Sequence, residues 1–244
     1  MRILLVNPNT TRSMTEKAAA AARAVAGPTT EIMAATSLMG PASIEGHYDG
    51  ALALPGLLDE IRKGEAAGAR AAVISCFDDT GLDAARALAS IPVVGLCESA
   101  LATAGFLAQR FTVVTTLERS RVLIEDLATR YGMAHRAKVR AADIPVLELE
   151  EKGTGALGKL RHQIERALED DGAEAIVLGC AGMADLARAL QDHYGVPVVD
   201  GVSAAVKQAE ALVAQGLTTS KRGSYAAPLA KVYTGAMSAF APPA

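Results

Sequence analysis

One short pattern occurs twice in this chain of 244 residues, and the repetition constrains the fold more than any other feature. The first copy is residues 72–81, AVISCFDDTG, and the second is residues 175–183, AIVLGCAGM. In each copy an apolar run ends at a cysteine, Cys76 or Cys180, and small or polar residues follow. Flanking residues keep an offset of 104 or 105 positions: Gly68 and Gly172, Pro92 and Pro197. We therefore interpret the chain as a duplication with one cysteine in each half.

Apolar runs of strand length alternate with helical patterns along both halves. Residues 2–6 form the first such run, and residues 111–116 are their counterpart in the second half. This alternation predicts an α/β fold with mainly parallel sheets flanked by helices. Because the unit is duplicated, we expect two lobes related by a pseudo-twofold axis, with the active site in the cleft between them. The tail is predicted to fold back, so that residues 1–97 and about 205–244 form one lobe and residues 98–204 the other.

Composition limits the classes of partner and the compartment. The net charge is −3 without a basic run, aromatic residues make up 4% and tryptophan is absent, so we expect neither nucleic acid nor a membrane as partner. The apolar run at residues 3–6 is too short for a signal peptide, and no segment reaches the length of a transmembrane helix. Three cysteines are typical of a reducing compartment rather than of a disulfide framework, which favours the cytoplasm.

Two thiols at equivalent strand ends suit proton transfer at carbon. Ligands of open parallel sheets bind beyond the carboxyl ends of the strands, and a helix is predicted to begin just after Cys76 and just after Cys180. A helix N-terminus stabilises an anion and would bring the thiol pKa down from its usual ~8.5 toward neutrality. One thiolate can then remove a proton while the other cysteine, as a thiol, returns one on the opposite face. This exchange inverts a stereocentre without a metal or a cofactor.

Several residues near these strand ends keep alternative interpretations. A buried free cysteine is often only a small hydrophobic side chain, although matched positions in a repeat favour a function for Cys76 and its counterpart. Cys97 has no counterpart in the repeat, and we interpret it as structural. Asp78 and Asp79 can cap the next helix or relay a proton. The loop at residues 40–45 can be a lid over the site or can cap the helix that follows it.

Metal and nucleotide cofactors lack a motif in this sequence. No Cys-x-x-Cys occurs, and the loop after the first strand lacks the Gly-x-Gly-x-x-Gly pattern of dinucleotide sites. The four histidines do not have the spacing of metal ligands: His47, His135, His162 and His193. We therefore expect no cofactor and no metal.

Five motifs, distributed through most of the chain, resemble the aspartate/glutamate/hydantoin racemase superfamily and, within it, the hydantoin racemases. They are VNPNT at 6–10, GPASIEG at 40–46, CFDDTGL at 76–82, VVTTL at 113–117 and LGCAGMAD at 178–185. Each motif is weak by itself, and the combination is specific. The resemblance implies two Rossmann-like lobes, cofactor-independent racemisation by two bases, and a homo-oligomer. It implies Cys76 and Cys180 as the bases, and it places around the substrate Asn9, Ser43, Phe77, Thr116, Gly182 and Met183.

The chain departs from the amino-acid branch of that superfamily at the second cysteine. Residues 179–182 read GCAG, whereas glutamate racemases resemble Gly-Cys-Thr-His there, and the first strand ends in Asn7 rather than in Asp-Ser. Neutral donors suit a neutral hydantoin ring, whose carbonyl groups already acidify the proton on C5. We therefore predict a racemase of 5-substituted hydantoins. The rival interpretations are an allantoin racemase, an amino-acid racemase and a non-catalytic two-lobed protein that binds a small molecule.

Overall fold

The structure is a computed structural model that describes residues 1–150 and 155–242. Strands and α-helices alternate throughout these residues. The strands are β1 (Arg2–Asn7), β2 (Glu31–Thr36), β3 (Ala71–Ile74), β4 (Val93–Gly95), β5 (Phe111–Thr115), β6 (Ala137–Ala141), β7 (Ala175–Leu178) and β8 (Val198–Asp200). The α-helices are α1 (Arg12–Val25), α2 (His47–Ala66), α3 (Leu82–Leu88), α4 (Leu96–Leu107), α5 (Glu118–Arg130), α6 (Ala156–Asp170), α7 (Ala187–Tyr194) and α8 (Gly201–Ala214). Within the described ranges, no helix is both long enough and apolar enough to span a bilayer.

The strands form two four-stranded sheets in which every pairing is parallel. The strand orders are β2-β1-β3-β4 and β6-β5-β7-β8, so the second sheet repeats the topology of the first. Strands β3, β5 and β7 are buried along their whole length, which is expected when helices cover both faces of a parallel sheet. The predicted α/β fold, with two parallel sheets flanked by helices, is confirmed.

The two sheets are also equivalent in register. The last paired residue of β3 is Ile74 and that of β7 is Leu178, each opposite the same position of its central strand. One further backbone hydrogen bond extends the pairing in each half: Ser75 N to Val6 O at 2.8 Å, and Gly179 N to Val114 O at 2.9 Å. The next residue in each half is a cysteine, so the duplication read from the sequence holds at the level of individual hydrogen bonds.

Helices α4 and α8 each cross from one sheet to the other. Helix α4 follows β4 but contacts β7 and β8, whereas α8 follows β8 but contacts β1, β3 and β4. They pack against each other, and alternate residues of both sheets join them in one hydrophobic core that includes Leu5, Leu101 and Val177. The division into residues 1–97 with 205–244 and residues 98–204 stays a prediction. Residues 151–154 and 243–244 of those segments lie outside the described residues.

The C-terminal tail packs on α3, at the outside of the first sheet. Side-chain hydrogen bonds hold it there, among them Thr219 Oγ1 to Ile91 O at 2.8 Å, Lys221 Nζ to Arg86 O at 2.6 Å, and Tyr225 OH to Asp83 Oδ1 at 2.9 Å. Beyond Tyr225 the described residues are mostly exposed, and they include the apolar side chains of Leu229 and Val232.

Candidate active site

Cys76 and Cys180 occupy equivalent positions, two residues beyond the last paired residues of β3 and β7. Both cysteines are half-buried, and both line a single cavity between the carboxyl ends of the two sheets. The charge of one sulfur acts on the other, because Cys180 contributes to raising the pKa of Cys76. The structure therefore brings the two predicted bases together at one site.

The cavity contains five of the eight side chains or backbones that the sequence predicts for the site: Asn9, Cys76, Phe77, Thr116 and Cys180. The other three lie outside its lining: Ser43, Gly182 and Met183. At the first of these positions the neighbour Ile44 lines the cavity instead. Met183 is fully buried in the hydrophobic core of the second half, and a Cβ added at Gly182 would lie 3.7 Å from the sulfur of Cys180. The substrate contacts of all six binding residues stay predictions.

Some residues that line the cavity were not predicted from the sequence. Met14 and Ser120 lie in the first turns of α1 and α5, the helices that follow the two central strands β1 and β5. Their equivalent placement is a signal that the repeat could have supplied. Val146, by contrast, begins the 3₁₀ helix Val146–Glu150 after β6, and no local pattern marks it.

A network of amide side chains shapes the end of β1. Asn7 Nδ2 donates to Asn9 Oδ1 at 2.8 Å and to Thr15 Oγ1 at 3.0 Å, and the amide of Thr11 donates to Asn9 Oδ1 at 2.9 Å. The carbonyl oxygen of Asn9 is thus used by the protein, whereas its Nδ2 contacts only the sulfur of Met14, at 3.5 Å, among the described residues. Asn9 therefore presents an N–H donor at the cavity wall.

The loop between β2 and α2 covers the cavity. Thr10 N donates to Pro41 O at 2.9 Å, and Glu45 Oε1 accepts a hydrogen bond from Val146 N at 3.0 Å, which ties this loop to both halves. Ile44 beneath it is buried. The cavity measures about 40 Å³, close to the volume of one water molecule in the liquid.

The thiol of Cys76 lies in a loop rather than at a helix N-terminus. The predicted helix start just after Cys76 is wrong: α3 begins at Leu82, because Asp79 (φ 46°) and Gly81 (φ 71°) adopt left-handed backbone angles and turn the chain first. The expected fall in thiol pKa is also wrong for this cysteine. Burial and the carboxylate of Asp78 raise the pKa of Cys76 well above its usual value, although the Thr80 hydroxyl, 3.3 Å from Sγ, and the Asp78 backbone N–H lower it. Cys76 accordingly rests as a thiol.

The two aspartates that follow Cys76 have different surroundings. The buried carboxylate of Asp79 accepts hydrogen bonds from Cys97 N and Glu98 N, both at 2.9 Å, and from Tyr131 OH at 2.7 Å. It thus caps α4 from a distant loop. Asp78 lines the cavity, and burial, together with the charge of Asp79, raises the pKa of Asp78 to about 7.

Cys180 directly precedes the 3₁₀ helix Ala181–Leu186 and is its N-cap residue. The amide of Met183 donates to Cys180 O at 3.1 Å. A side chain at Gly179 would place its Cβ 2.9 Å from the Cα of Thr115, so this position requires glycine for the close approach of the strand ends. The three residues after Cys180 are uncharged, in contrast with the two aspartates that follow the first cysteine.

The remaining cysteine and the histidines lie apart from this arrangement. Cys97 is fully buried in α4 and belongs to the hydrophobic core between the sheets. Across residues 1–150 and 155–242, no three histidine, cysteine, aspartate or glutamate side chains are grouped so that they could hold a metal ion.

Comparison with known proteins identifies the family. Residues 3–209 match the family model described as Asp/Glu/Hydantoin racemase. The chain belongs to this family. The membership predicted from the five sequence motifs is confirmed, and the two cysteines occupy matched places in a racemase fold.

Similar members of the family share nearly the full length of the chain. The hydantoin racemase of Rhizobium meliloti is 52% identical over 236 residues, which cover 96% of this chain and 98% of that protein. The hydantoin racemase of Pseudomonas sp. (strain NS671) is 47% identical over 241 residues, covering 98% and 97%. The solved allantoin racemase from Klebsiella pneumoniae superposes with a TM-score of 0.95 at 48% identity and covers 99% of each chain.

Proposed function

We propose that the protein is an isomerase that inverts the C5 stereocentre of 5-substituted hydantoins, with Cys76 and Cys180 as its two bases. The observation that carries this proposal is the equivalence of the two cysteines, which end matched strands of a duplicated sheet and line one cavity. Full-length relatives at 52% and 47% identity are hydantoin racemases, which supports the same reaction.

The proposed reaction is a proton transfer through the ring plane. For one enantiomer the thiolate of one cysteine removes the C5 proton, and the thiol of the other donates a proton to the opposite face. The electron pair left at C5 is delocalised onto the C4 carbonyl oxygen of the ring. The Nδ2 donor of Asn9 and the hydroxyl of Thr116 are the groups we assign to that oxygen, because both residues line the cavity and are neutral donors. Repulsion between the sulfurs keeps the site at one thiolate, so the two cysteines exchange roles between enantiomers.

The charge of the cavity favours a hydantoin over a free amino acid. Among the described residues that line it, none is lysine, arginine or histidine, and the ionisable side chains are the two cysteines and Asp78. The carboxylate of an amino acid would therefore lack a cationic partner and would meet a carboxyl group. Allantoin, which is a hydantoin with a 5-ureido group, is the second candidate, because the solved allantoin racemase from Klebsiella pneumoniae is 48% identical to this chain.

The test is the loss of optical rotation with single enantiomers in deuterated water. We expect 5-alkyl hydantoins or allantoin to racemise far faster than the spontaneous rate and to gain deuterium at C5, whereas glutamate and aspartate do not react. Binding of a hydantoin without racemisation would instead favour the two-lobed binding protein.

A chelator tests the expectation that the reaction needs no metal ion. Activity should survive treatment with the chelator. Activity that is lost to the chelator and restored by zinc would contradict the metal-free mechanism.

We further propose that the protein acts in the cytoplasm as a homo-oligomer. The three cysteines form no disulfide, which is consistent with a reducing compartment. The exposed apolar side chains of the tail, among them Leu229 and Val232, are suited to contact another copy. Light scattering coupled to size-exclusion chromatography tests the oligomer: a mass near 25.1 kDa would contradict it.

A further inference from the structure

The loop after Cys76 places a second kind of functional group at the cavity. Asp78 is the one carboxyl-bearing residue among the described residues that line it. Its backbone N–H lies near enough to the sulfur of Cys76 to lower the pKa of that thiol, so its position is coupled to that of the base. Asp78 follows the cysteine by two residues, and its carboxylate is close enough for its charge to act on the thiol.

The carboxyl of Asp78 differs from that of its neighbour in having no donor. Asp79 accepts three hydrogen bonds from the protein, two from backbone amides of α4 and one from Tyr131. Within residues 1–150 and 155–242, no side chain or backbone group donates a hydrogen bond to the carboxyl oxygens of Asp78. Asp78 is half-buried, and an N–H group of a bound ligand would supply its carboxyl oxygens with the donor that the described residues do not provide. Partial burial is also the main reason why the pKa of Asp78 is raised.

The chemistry of the proposed substrate supplies one N–H next to the reacting carbon. In a 5-substituted hydantoin, C5 is bonded to N1, which carries a hydrogen, whereas N3 lies on the other side of the ring between the two carbonyls. If the sulfur of Cys76 faces C5, a carboxyl two residues further along the same loop lies nearer to N1–H than to N3–H. Allantoin carries an additional N–H on C5, in its ureido group.

We infer that Asp78 is a specificity-determining residue that accepts a hydrogen bond from the N–H group bonded to C5 of the substrate. This inference rests on the proposed function. The bond selects rings with a donor at position 1 and orients C5 toward the sulfur of Cys76. The same carboxyl disfavours ligands that present a lone pair or a negative charge at that position, including amino-acid carboxylates.

A pair of nearly isosteric rings tests this assignment. In a 5-substituted oxazolidine-2,4-dione an oxygen replaces N1–H, while C5, both carbonyls and N3–H remain. We would measure kcat/KM for deuterium exchange at C5 with both rings, each corrected for its spontaneous rate. Because hydrogen bonds to charged groups are among the stronger ones, we expect the native protein to prefer the hydantoin by about 10- to 100-fold. The Asp78→Ala variant should lose that preference almost completely, and Asp78→Asn, which keeps a neutral acceptor, should be intermediate.

The matched control is Asp126→Ala, which removes an exposed carboxylate of α5 outside the cavity and should leave the preference unchanged. If Asp78→Ala slows both rings equally and keeps the native preference, the inference is overturned and the proposed function stands. Equal rates of the native protein on the two rings would overturn it as well. If Asp78→Ala fails to fold, Asp78→Asn decides: an unchanged preference in that variant contradicts the inference. If the native protein exchanges the C5 proton of neither ring, the proposed function itself is contradicted.

Discussion

The two halves of the molecule cap equivalent helices in different ways. Helix α8 follows β8, and its N-cap residue Asp200 accepts a hydrogen bond from Ser203 N, three residues later, at 2.8 Å. Helix α4 follows β4, but its N-cap residue is Gly95, and the capping carboxylate comes from Asp79 in the loop after Cys76. A Cβ at Gly95 would lie 2.5 Å from the Asp79 carboxylate carbon, so glycine at this position makes room for the distant cap.

This difference shows that the two cysteine loops are held by different means. The first loop is tied to α4 and, through Tyr131, to the end of α5, and both helices pack against elements of the second half. The second loop runs directly into the 3₁₀ helix Ala181–Leu186, which packs against α1 and α8. The carboxylate of Asp79 thus caps α4 and also joins the first cysteine loop to that helix, whereas Asp200 caps the helix that it directly precedes.

The largest expected effect comes from removing either sulfur. Serine has nearly the same volume as cysteine but is a far weaker acid and base, so Cys76→Ser and Cys180→Ser should each fold and should lose racemisation by about 10²–10⁴-fold. Each variant should still exchange the C5 proton of one enantiomer in deuterated water, because one cysteine can remove and return a proton on its own face. The two variants should prefer opposite enantiomers.

Two results of that experiment would contradict the assignment. Near-native racemisation by both serine variants would make the cysteines structural, and exchange of the same enantiomer by both would mean that the sulfurs do not face opposite sides of the ring. The matched control is Cys97→Ser in the core between the sheets, which should affect stability rather than enantiomer preference.

The second prediction compares the two caps directly. Asp79→Asn keeps a residue that tolerates the left-handed backbone but weakens three hydrogen bonds, and we expect a loss of about 1–3 kcal/mol in the free energy of unfolding. Asp200→Asn should cost less than about 0.5 kcal/mol, because asparagine caps helices as well as aspartate does. Chemical denaturation of both variants measures the difference, and Tyr131→Phe, which removes one of the three bonds from Asp79, should fall between them. Equal losses for the two asparagine variants would contradict the distinction between the caps.

The third prediction concerns alkylation of the thiols. Because burial and Asp78 raise the pKa of Cys76, iodoacetamide at neutral pH should modify Cys180 at least about tenfold faster, and a bound hydantoin should protect it. Peptide mass spectrometry of partly inactivated protein identifies the site. Preferential labelling of Cys76 would contradict this prediction. Full activity after both thiols are labelled would show that neither cysteine is a catalytic base.

The last prediction concerns a change in stability with pH. The pKa of Asp78 in the folded state, about 7, lies above its ordinary value of 3.8. The folded state therefore favours the protonated carboxyl. The resulting contribution to the free energy of unfolding is complete below pH 3.8 and is lost as the pH rises through 7. Asp78→Asn removes this loss, and the variant should be more stable than the native protein by about 1–3 kcal/mol at pH 8, with the difference shrinking toward pH 4. Such a gain corresponds to roughly 2–10 °C in Tm. A Tm difference that does not change with pH would contradict the sign of this shift.

The sequence by itself determined the parallel α/β fold, the duplication and the family. These follow from local signals: strand-length apolar runs, turn residues at their ends, and two cysteine motifs with nearly constant offsets to their flanks. Equivalent patterns adopt equivalent registers, and Cys76 and Cys180 therefore reach the same sheet position without any knowledge of the tertiary contacts.

Only the tertiary structure decided the roles of the two aspartates and the composition of the cavity wall. Local pattern allowed both Asp78 and Asp79 to cap the helix that follows them, but Asp79 caps α4, which lies nearly twenty residues further along, and this leaves Asp78 at the cavity. Val146 joins the wall through a hydrogen bond to Glu45 across 101 positions. Such contacts depend on which surfaces meet when the two sheets pack around α4 and α8, and a sequence pattern of short period carries no information about that packing.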